Sequence, residues 1–537
     1  PPEHVIGEPD FPEPLLSPPL EAALRNEEDI DAARCADPAL RADWETVYDS
    51  LQPPPRFSAW LVSGPTPREK MPAWHEAEGA GDDTLVFESH FESGNLRSAV
   101  RLGQTDEYNL MLSFDINTER HTQWFYFSVG NARAGRSYKL NLQNLMKPDS
   151  VYSQGMQPLA YSEREACGWR RRGEAVIYFK NQLQRGKLRP FYTLTFTFRA
   201  SRASDVIYFA HCFPYRYTEL RLYLDAVMAD PAKRAFVTRR PLCRTLAGNH
   251  VDCLTITSPG DEGQRPGPQA DPGVVLSARV HPGETNASWM MKGILDFLTG
   301  PSLEAAALRD RFVFKIVPML NPDGVVCGNY RCSLAGADLN RQYTDPRRDV
   351  CPEVHGLRQM VAGLAATRDV ALYVDLHGHS RKPNVFMYGC ENPANEKLYL
   401  RERVVPTLLA RASSTFCLES CSFEVVAAKG GCGRVVMREQ VGIVSSFTME
   451  ASFMGADRGP HAGLHFGTAH FERMGWALCK VLLDVGDPRQ TQCDAVLAEL
   501  LLQMPLDMSR VLAAQSGVDT AGGSISSGSD DSDGSNS

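Results

Sequence analysis

Four short apolar runs constrain this chain more than any other feature. "VVLSARV" (274–280) ends in His281-Pro282-Gly283-Glu284, and "FVFKIVPML" (312–320) ends in Asn321-Pro322-Asp323-Gly324. "ALYVDL" (371–376) ends in His377-Gly378-His379, and "GIVSSFTM" (442–449) ends in Glu450. Each run reads as a buried strand, and helical stretches alternate with them, which is the rhythm of an α/β sheet. In open α/β sheets, ligands bind outside the carboxyl ends of the strands. Four strands that all end in reactive side chains predict a site at that edge.

His281 and Glu284 stand three residues apart at the first strand end. The spacing alone is weak, because His75 and Glu78 in "WHEAEGAGDD" repeat it with no strand before them. A catalytic zinc takes three protein ligands and leaves one position open, and two His with one Glu is an established set. The pair therefore needs a histidine from another strand end. His377 and His379 both qualify, since alternation along an extended segment points them to the same side. Asp375, two residues before His377, reads as a structural carboxylate or a partner to a ligand. Glu450 is a carboxylate beside an apolar strand, where burial raises the pKa toward the range of a general base; the plain alternative is a surface Glu. "NYRCSLAGADLNRQY" brings Arg331, Asn340 and Arg341 close together. Arginine forks suit carboxylates and developing oxyanions, although a solvated loop uses the same residues.

Upstream the pattern differs. "YNLMLSFDI", "QWFYFSVG", "YKLNLQNL", "AVIYFKN", "YTLTFTF" and "DVIYFAHCF" are short, aromatic and alternating, as in an all-β sandwich. The expected order is an irregular N-terminal region over 1–80, with a polar helical patch near 21–49, then a β-sandwich over 84–235. An α/β catalytic domain over 236–487, a helical extension over 488–515 and a disordered Ser/Gly/Asp tail over 516–537 follow.

At 537 residues, 43% apolar and 23% charged, the composition is that of a soluble globular protein. No run of about 18 apolar residues predicts a membrane span. The start, "PPEHVIGEPDFPEP", lacks the basic and apolar regions of a secretory signal. Fourteen scattered cysteines then favour reduced thiols and a cytosolic setting. Cys417 and Cys421 have no second Cys/His pair at zinc-finger spacing and read as buried or idle thiols. A net charge of −9 argues against nucleic acid as a partner.

The strand-end motifs, together with Asp338-Leu339-Asn340-Arg341, His377-Gly378-His379-Ser380-Arg381 and Thr448-Met449-Glu450, resemble the zinc metallocarboxypeptidases in order and spacing. More narrowly they resemble the cytosolic carboxypeptidases, the tubulin-deglutamylating branch, and its members 1 and 4 in particular. "FESGNLRSAV", "HTQWFYFSVGNARAG", "GMQPLAYS" and "FPYRYTEL" resemble that branch's β-sandwich domain, so the resemblance covers about residues 84–487. It implies one zinc per chain on His281, Glu284 and His377, with Glu450 as general base and acid. It also implies that Arg331 polarises the scissile carbonyl while Asn340 and Arg341 grip the substrate's terminal carboxylate. Arg434 in "GRVVMRE" best matches the basic residue that meets an acidic side chain, ahead of Lys429 and Arg438. The implied activity removes C-terminal or side-chain glutamates from proteins, with tubulin or another glutamate-ended protein as partner and basic residues around the cleft. The implied location is the cytosol, with microtubules as a site of action.

The chain also departs from the pattern. No tyrosine follows Tyr399, where digestive relatives place a mobile one before the base. Phe447 stands where the branch often has Tyr, and Gly430-Gly431-Cys432-Gly433 is unusually rich in glycine. No phosphate-binding Gly-x-x-x-x-Gly-Lys-Ser/Thr loop occurs. The rival readings are a zinc amidohydrolase of small N-acyl amino acids and a silent microtubule- or partner-binding protein.

Overall fold

The computed structural model describes residues 45–50, 81–186, 189–259, 271–392 and 398–503. His75, Glu78, most of the 1–80 region and the 516–537 tail lie outside these residues.

The first eleven strands are β1 (Glu45–Asp49), β2 (Val86–Glu88), β3 (Leu96–Arg101), β4 (Glu107–Leu112), β5 (Tyr126–Gly130) and β6 (Ser137–Leu145), then β7 (Leu159–Ser162), β8 (Arg170–Arg171), β9 (Glu174–Arg185), β10 (Arg189–Arg199) and β11 (Ile207–Ala210). They form a six-stranded sheet, β1-β3-β4-β6-β10-β9, and a five-stranded sheet, β2-β5-β11-β7-β8. Aromatic side chains fill the space between the sheets. Phe196 and Phe198 of β10 lie 5.5 and 4.9 Å, centroid to centroid, from Phe209 of β11. Such pairs bury large apolar area and add about 0.5–1.5 kcal/mol each through their geometry. The expected β-sandwich is present, with one parallel pair, β4 and β6, among antiparallel ones.

One expectation fails within the described residues. The polar helical patch over 21–49 ends in Glu45–Asp49, which is a strand rather than a helix. Thr46, Val47 and Tyr48 suit a pleated surface, and antiparallel pairing with β3 overrides the weak helical pattern.

After the helix Tyr217–Ala229 the second sheet system begins: β12 (Val237–Arg244), β13 (His250–Ile256), β14 (Gly273–Ala278), β15 (Val313–Val317), β16 (Val370–His379), β17 (Val385–Tyr388) and β18 (Ser446–Ser452). Their order is β12-β13-β15-β14-β16-β18-β17. The central four, β15, β14, β16 and β18, pair in parallel, while the outer pairings are antiparallel. These four are the apolar runs that end in reactive residues, so all four carboxyl ends emerge at one edge. Helices Thr285–Leu298, Pro352–Ala365 and Thr468–Val485 contribute buried apolar residues to the core beside this sheet. The helix Thr491–Gln503 follows the α/β unit. Among the described residues, no helix is long and apolar enough to cross a membrane.

Candidate active site and metal centre

β14 ends where Arg279 takes a left-handed conformation, φ 59°. For a side chain with a Cβ this costs roughly 1–2 kcal/mol. The Arg279 guanidinium, itself buried, holds the turn that follows. It donates to the Pro282 carbonyl from Nε and Nη2 at 3.0 and 2.6 Å, and from Nη1 to the Tyr215 carbonyl and Ser288 Oγ at 2.9 Å each. The turn sets His281 and Glu284 at the strand end, with Glu284 immediately before the helix Thr285–Leu298.

His281, Glu284 and His377 come together there, all buried, each offering one ligand atom within 4.8 Å of the others. His281 Nδ1 lies 2.9 Å from Glu284 Oε1, and His377 Nδ1 lies 3.0 Å from Glu284 Oε2. Both histidines thus turn Nδ1 inward. Their outer nitrogens rest on aspartates: His281 Nε2 is 3.0 Å from Asp338 Oδ1, and His377 Nε2 is 2.8 Å from Asp375 Oδ2. Carboxylates behind metal-ligating histidines fix ring orientation and raise ligand basicity. The Gly378 amide also donates to Glu284 Oε2 at 3.0 Å. Two imidazoles and a carboxylate, oriented in this way, fit a zinc ion.

The charges are mutually dependent. Burial works to raise the Glu284 carboxyl, but the His281 and His377 imidazoles beside it hold it well below its ordinary value. Burial works to lower His377, and the Asp375 and Glu284 carboxylates raise it well above its ordinary value. Asp338 is likewise opposed by burial, yet Arg331 and His281 hold it far down.

His379, the alternative ligand, is outside the cluster. Its Nδ1 accepts the amides of Lys382 and Arg381 at 2.9 and 3.4 Å and so caps the turn after β16. Asp375 takes the outer-partner role, also accepting Ser277 Oγ at 2.8 Å. Cys417 and Cys421 are free thiols.

Of the remaining candidates, Glu450, Arg331, Asn340, Arg341, Arg434 and Lys429 line one cleft of about 490 Å³, which His281, Glu284 and His377 also line. Glu450 on β18 is the register partner of His377 on β16 and is half-buried in the cleft wall. Arg331 donates from Nε to Asp338 Oδ2 at 2.8 Å. Asn340 Oδ1 accepts the Gly433 amide at 3.0 Å, and Arg341 Nη1 reaches Cys432 Sγ at 3.2 Å. The glycine-rich loop therefore packs directly on these two residues. A Cβ at Gly431 would sit 2.5 Å from the Arg341 carbonyl oxygen, which explains a glycine there. Arg434 is buried, donates from Nε to the Gly389 carbonyl at 3.1 Å and lies over the Tyr388 ring at 5.5 Å. Lys429 also lines the cleft. Arg438 donates instead to Asn392 Oδ1 at 2.9 and 2.6 Å and does not line it.

The basic side chains lining the cleft are Lys147, Arg331, Arg341, Lys382, Lys429 and Arg434, with Glu419 and Glu424 as further acidic ones. Sequence reasoning gave no role to Lys147, which comes from the β-sandwich and donates to Tyr330 Oη and Ser380 Oγ at 2.9 Å each. It also gave none to Asp338, although the motif containing it was legible.

Comparison with known proteins agrees with this architecture. Residues 223–455 match the family described as zinc carboxypeptidase, and residues 87–211 match the cytosolic carboxypeptidase N-terminal domain. Human cytosolic carboxypeptidase 2 is 49% identical over 434 residues, covering 79% of this chain and 48% of its own length. Mouse cytosolic carboxypeptidase 1 is 41% identical over 429 residues, covering 75% of this chain and 35% of its own. The chain spans about half the length of the curated relatives it matches. A metallo-carboxypeptidase from Burkholderia cenocepacia shares the fold, with a TM-score of 0.60 at 24% identity, over 75% of this chain and 99% of that one. The chain belongs to the zinc carboxypeptidase family, in its cytosolic carboxypeptidase branch. The identity to member 2 exceeds that to member 1, so the expected place beside members 1 and 4 is not carried into the assignment.

Proposed function

We propose that the chain is a zinc-dependent metallocarboxypeptidase that removes glutamates from protein C-termini or from glutamate side chains, with tubulin or another polyglutamylated protein as substrate. The observation that carries this reading is the convergence of the His281–Glu284–His377 cluster, Glu450 and four arginine or asparagine side chains on one cleft.

His281 and His377, through the Nδ1 atoms that face Glu284, would hold the zinc together with the Glu284 carboxylate. Bound there, zinc supplies a Lewis acid for the scissile carbonyl and lowers the pKa of a water toward neutrality. Glu450 takes the proton from the attacking water and returns it to the nitrogen of the leaving amine. Arg331, braced by Asp338, donates to the carbonyl oxygen as it gains charge. Asn340 and Arg341 hold the terminal carboxylate, which restricts cleavage to the last residue. Arg434, set deep in the cleft, meets the side-chain carboxylate of that residue. Membership of the cytosolic branch supports a cytosolic setting.

Peptides of one body ending in glutamate, leucine or an amidated glutamate test the reading. One charge-assisted contact at Arg434 is worth about 1.5–3 kcal/mol, so kcat/KM should favour glutamate over leucine by roughly 10- to 100-fold. Amidation should abolish release, and Arg434→Ala should erase most of the preference. Equal rates on glutamate and leucine would contradict the assigned specificity. Preferred turnover of N-acyl amino acids would favour the amidohydrolase.

A further inference from the structure

The turn after β4 reaches from the β-sandwich to the backbone of the loop that carries Arg331. Asp115 is buried, and its carboxylate accepts three consecutive backbone amides of the α/β unit. Oδ1 takes Tyr330 N–H at 2.6 Å, and Oδ2 takes Arg331 and Cys332 N–H at 2.7 Å each. Neighbouring bonds tighten the same clasp. The Ile116 amide donates to Asn329 Oδ1 at 3.1 Å, and Asn117 Nδ2 donates to the Leu334 carbonyl at 2.8 Å.

The clasped loop connects to both arms of the site. The Gly283 amide, within the His281–Glu284 turn, donates to the Tyr330 carbonyl at 2.8 Å. The Arg331 side chain continues to Asp338, which in turn meets His281. Charge-assisted bonds to a carboxylate are shorter and roughly twice as strong as neutral ones. Three of them on adjacent amides fix the direction of the loop as well as its position.

We infer that Asp115 is a positioning residue for Arg331: the β-sandwich sets the oxyanion-binding guanidinium by holding the 330–332 backbone from outside the α/β unit. The inference rests on the role proposed for Arg331. Burial pushes the Asp115 carboxyl up to about 7, although the three amides work to lower it. The clasp also gives the β-sandwich a part in the chemistry, which nothing in its sequence spacing announced.

The test uses the full chain carrying Asp115→Asn, with kcat and KM measured on a glutamate-ended peptide. The amide presents N–H groups to at least one of the three donors. The expected result is a fall in kcat of roughly 10- to 100-fold with KM changed less than about threefold, the signature of a lost transition-state contact. In an Arg331→Ala background the same change should cost less than about twofold, because the two act through one group. Equal losses in both backgrounds, or no loss in the first, would overturn the inference. Asp115→Glu keeps the acceptors but displaces the loop by one methylene, and gives the same reading should the amide variant not fold. Hydrogen exchange keeps this test separate from the proposed activity. Faster exchange at Tyr330, Arg331 and Cys332, with β5 unchanged, is expected in Asp115→Asn whether or not the wild type releases glutamate. Unchanged exchange at those three amides would overturn the inference in either case.

Discussion

At the scale of single residues, burial moves the protonation of carboxyl groups toward neutral pH. Glu353, in the first turn of the helix Pro352–Ala365, is almost fully buried, and its Oε2 has no hydrogen-bond partner among the described residues. Burial, with Asp323 adding to it, pushes the carboxyl up to about 7. Its unfolded pKa is near 4.3, so between that value and 7 the native state binds more protons than the unfolded one. The stabilisation linked to this proton is complete below the unfolded pKa and is lost as pH rises through about 7. Thermal melts from pH 5 to pH 8 should show Glu353→Gln gaining on the wild type as pH rises. A gap that stays constant across that range would show that Glu353 does not carry the effect. The metal cluster was partly legible at this scale. Sequence could pair His281 with Glu284, but alternation left His377 and His379 equal. What separates them is a contact: His379 Nδ1 is engaged by the amides of Arg381 and Lys382, while His377 Nδ1 faces Glu284. Asp338 escaped notice because its partner His281 lies 57 residues away, and no local pattern encodes that pairing.

At the scale of elements, the four parallel strands read well because buried central strands are near-continuous apolar runs with abrupt polar ends. The segment Glu45–Asp49 did not, because its strand character comes from pairing with β3 rather than from itself. The glycine-rich loop was visible as unusual, but its reason lay in the fold. Gly431 packs on the Arg341 carbonyl oxygen, and the Tyr343 amide donates to the Gly431 carbonyl at 3.1 Å. A methyl group at 431 must displace the backbone that carries Asn340 and Arg341. Overpacking of this kind costs about 1–3 kcal/mol. Gly431→Ala should therefore raise KM for a glutamate-ended peptide by roughly tenfold while kcat falls less, since the grip proposed for Asn340 and Arg341 on the carboxylate would weaken in both ground and transition states. Steady-state kinetics on the variant check this; a fall in kcat with KM unchanged would place the loop's influence on the reacting centre instead.

At the scale of the whole molecule, side-chain contacts tie the two sheet systems together around the cleft. The β-sandwich contributes Lys147 to the cleft and Asp115 to the loop beneath Arg331, and Arg171 of β8 donates from Nη2 to the Phe453 carbonyl at 2.7 Å. Family resemblance and periodicity delivered the two architectures, yet not these contacts, since they join residues 183 to 282 positions apart. The cleft gathers six basic side chains in a chain of net charge −9, which suits an anionic chain end docking there. The central claim is that this cleft performs zinc-dependent release of terminal glutamate with Glu450 as the base. The most direct measurement is free glutamate released from a peptide ending in several glutamates, by the wild type, by the wild type with a zinc chelator, and by Glu450→Gln. The account predicts steady release that the chelator stops, zinc restores, and Glu450→Gln lowers by about 10²- to 10⁴-fold. Release that persists with the chelator or in Glu450→Gln, or its absence from a folded, zinc-loaded wild type, would contradict it.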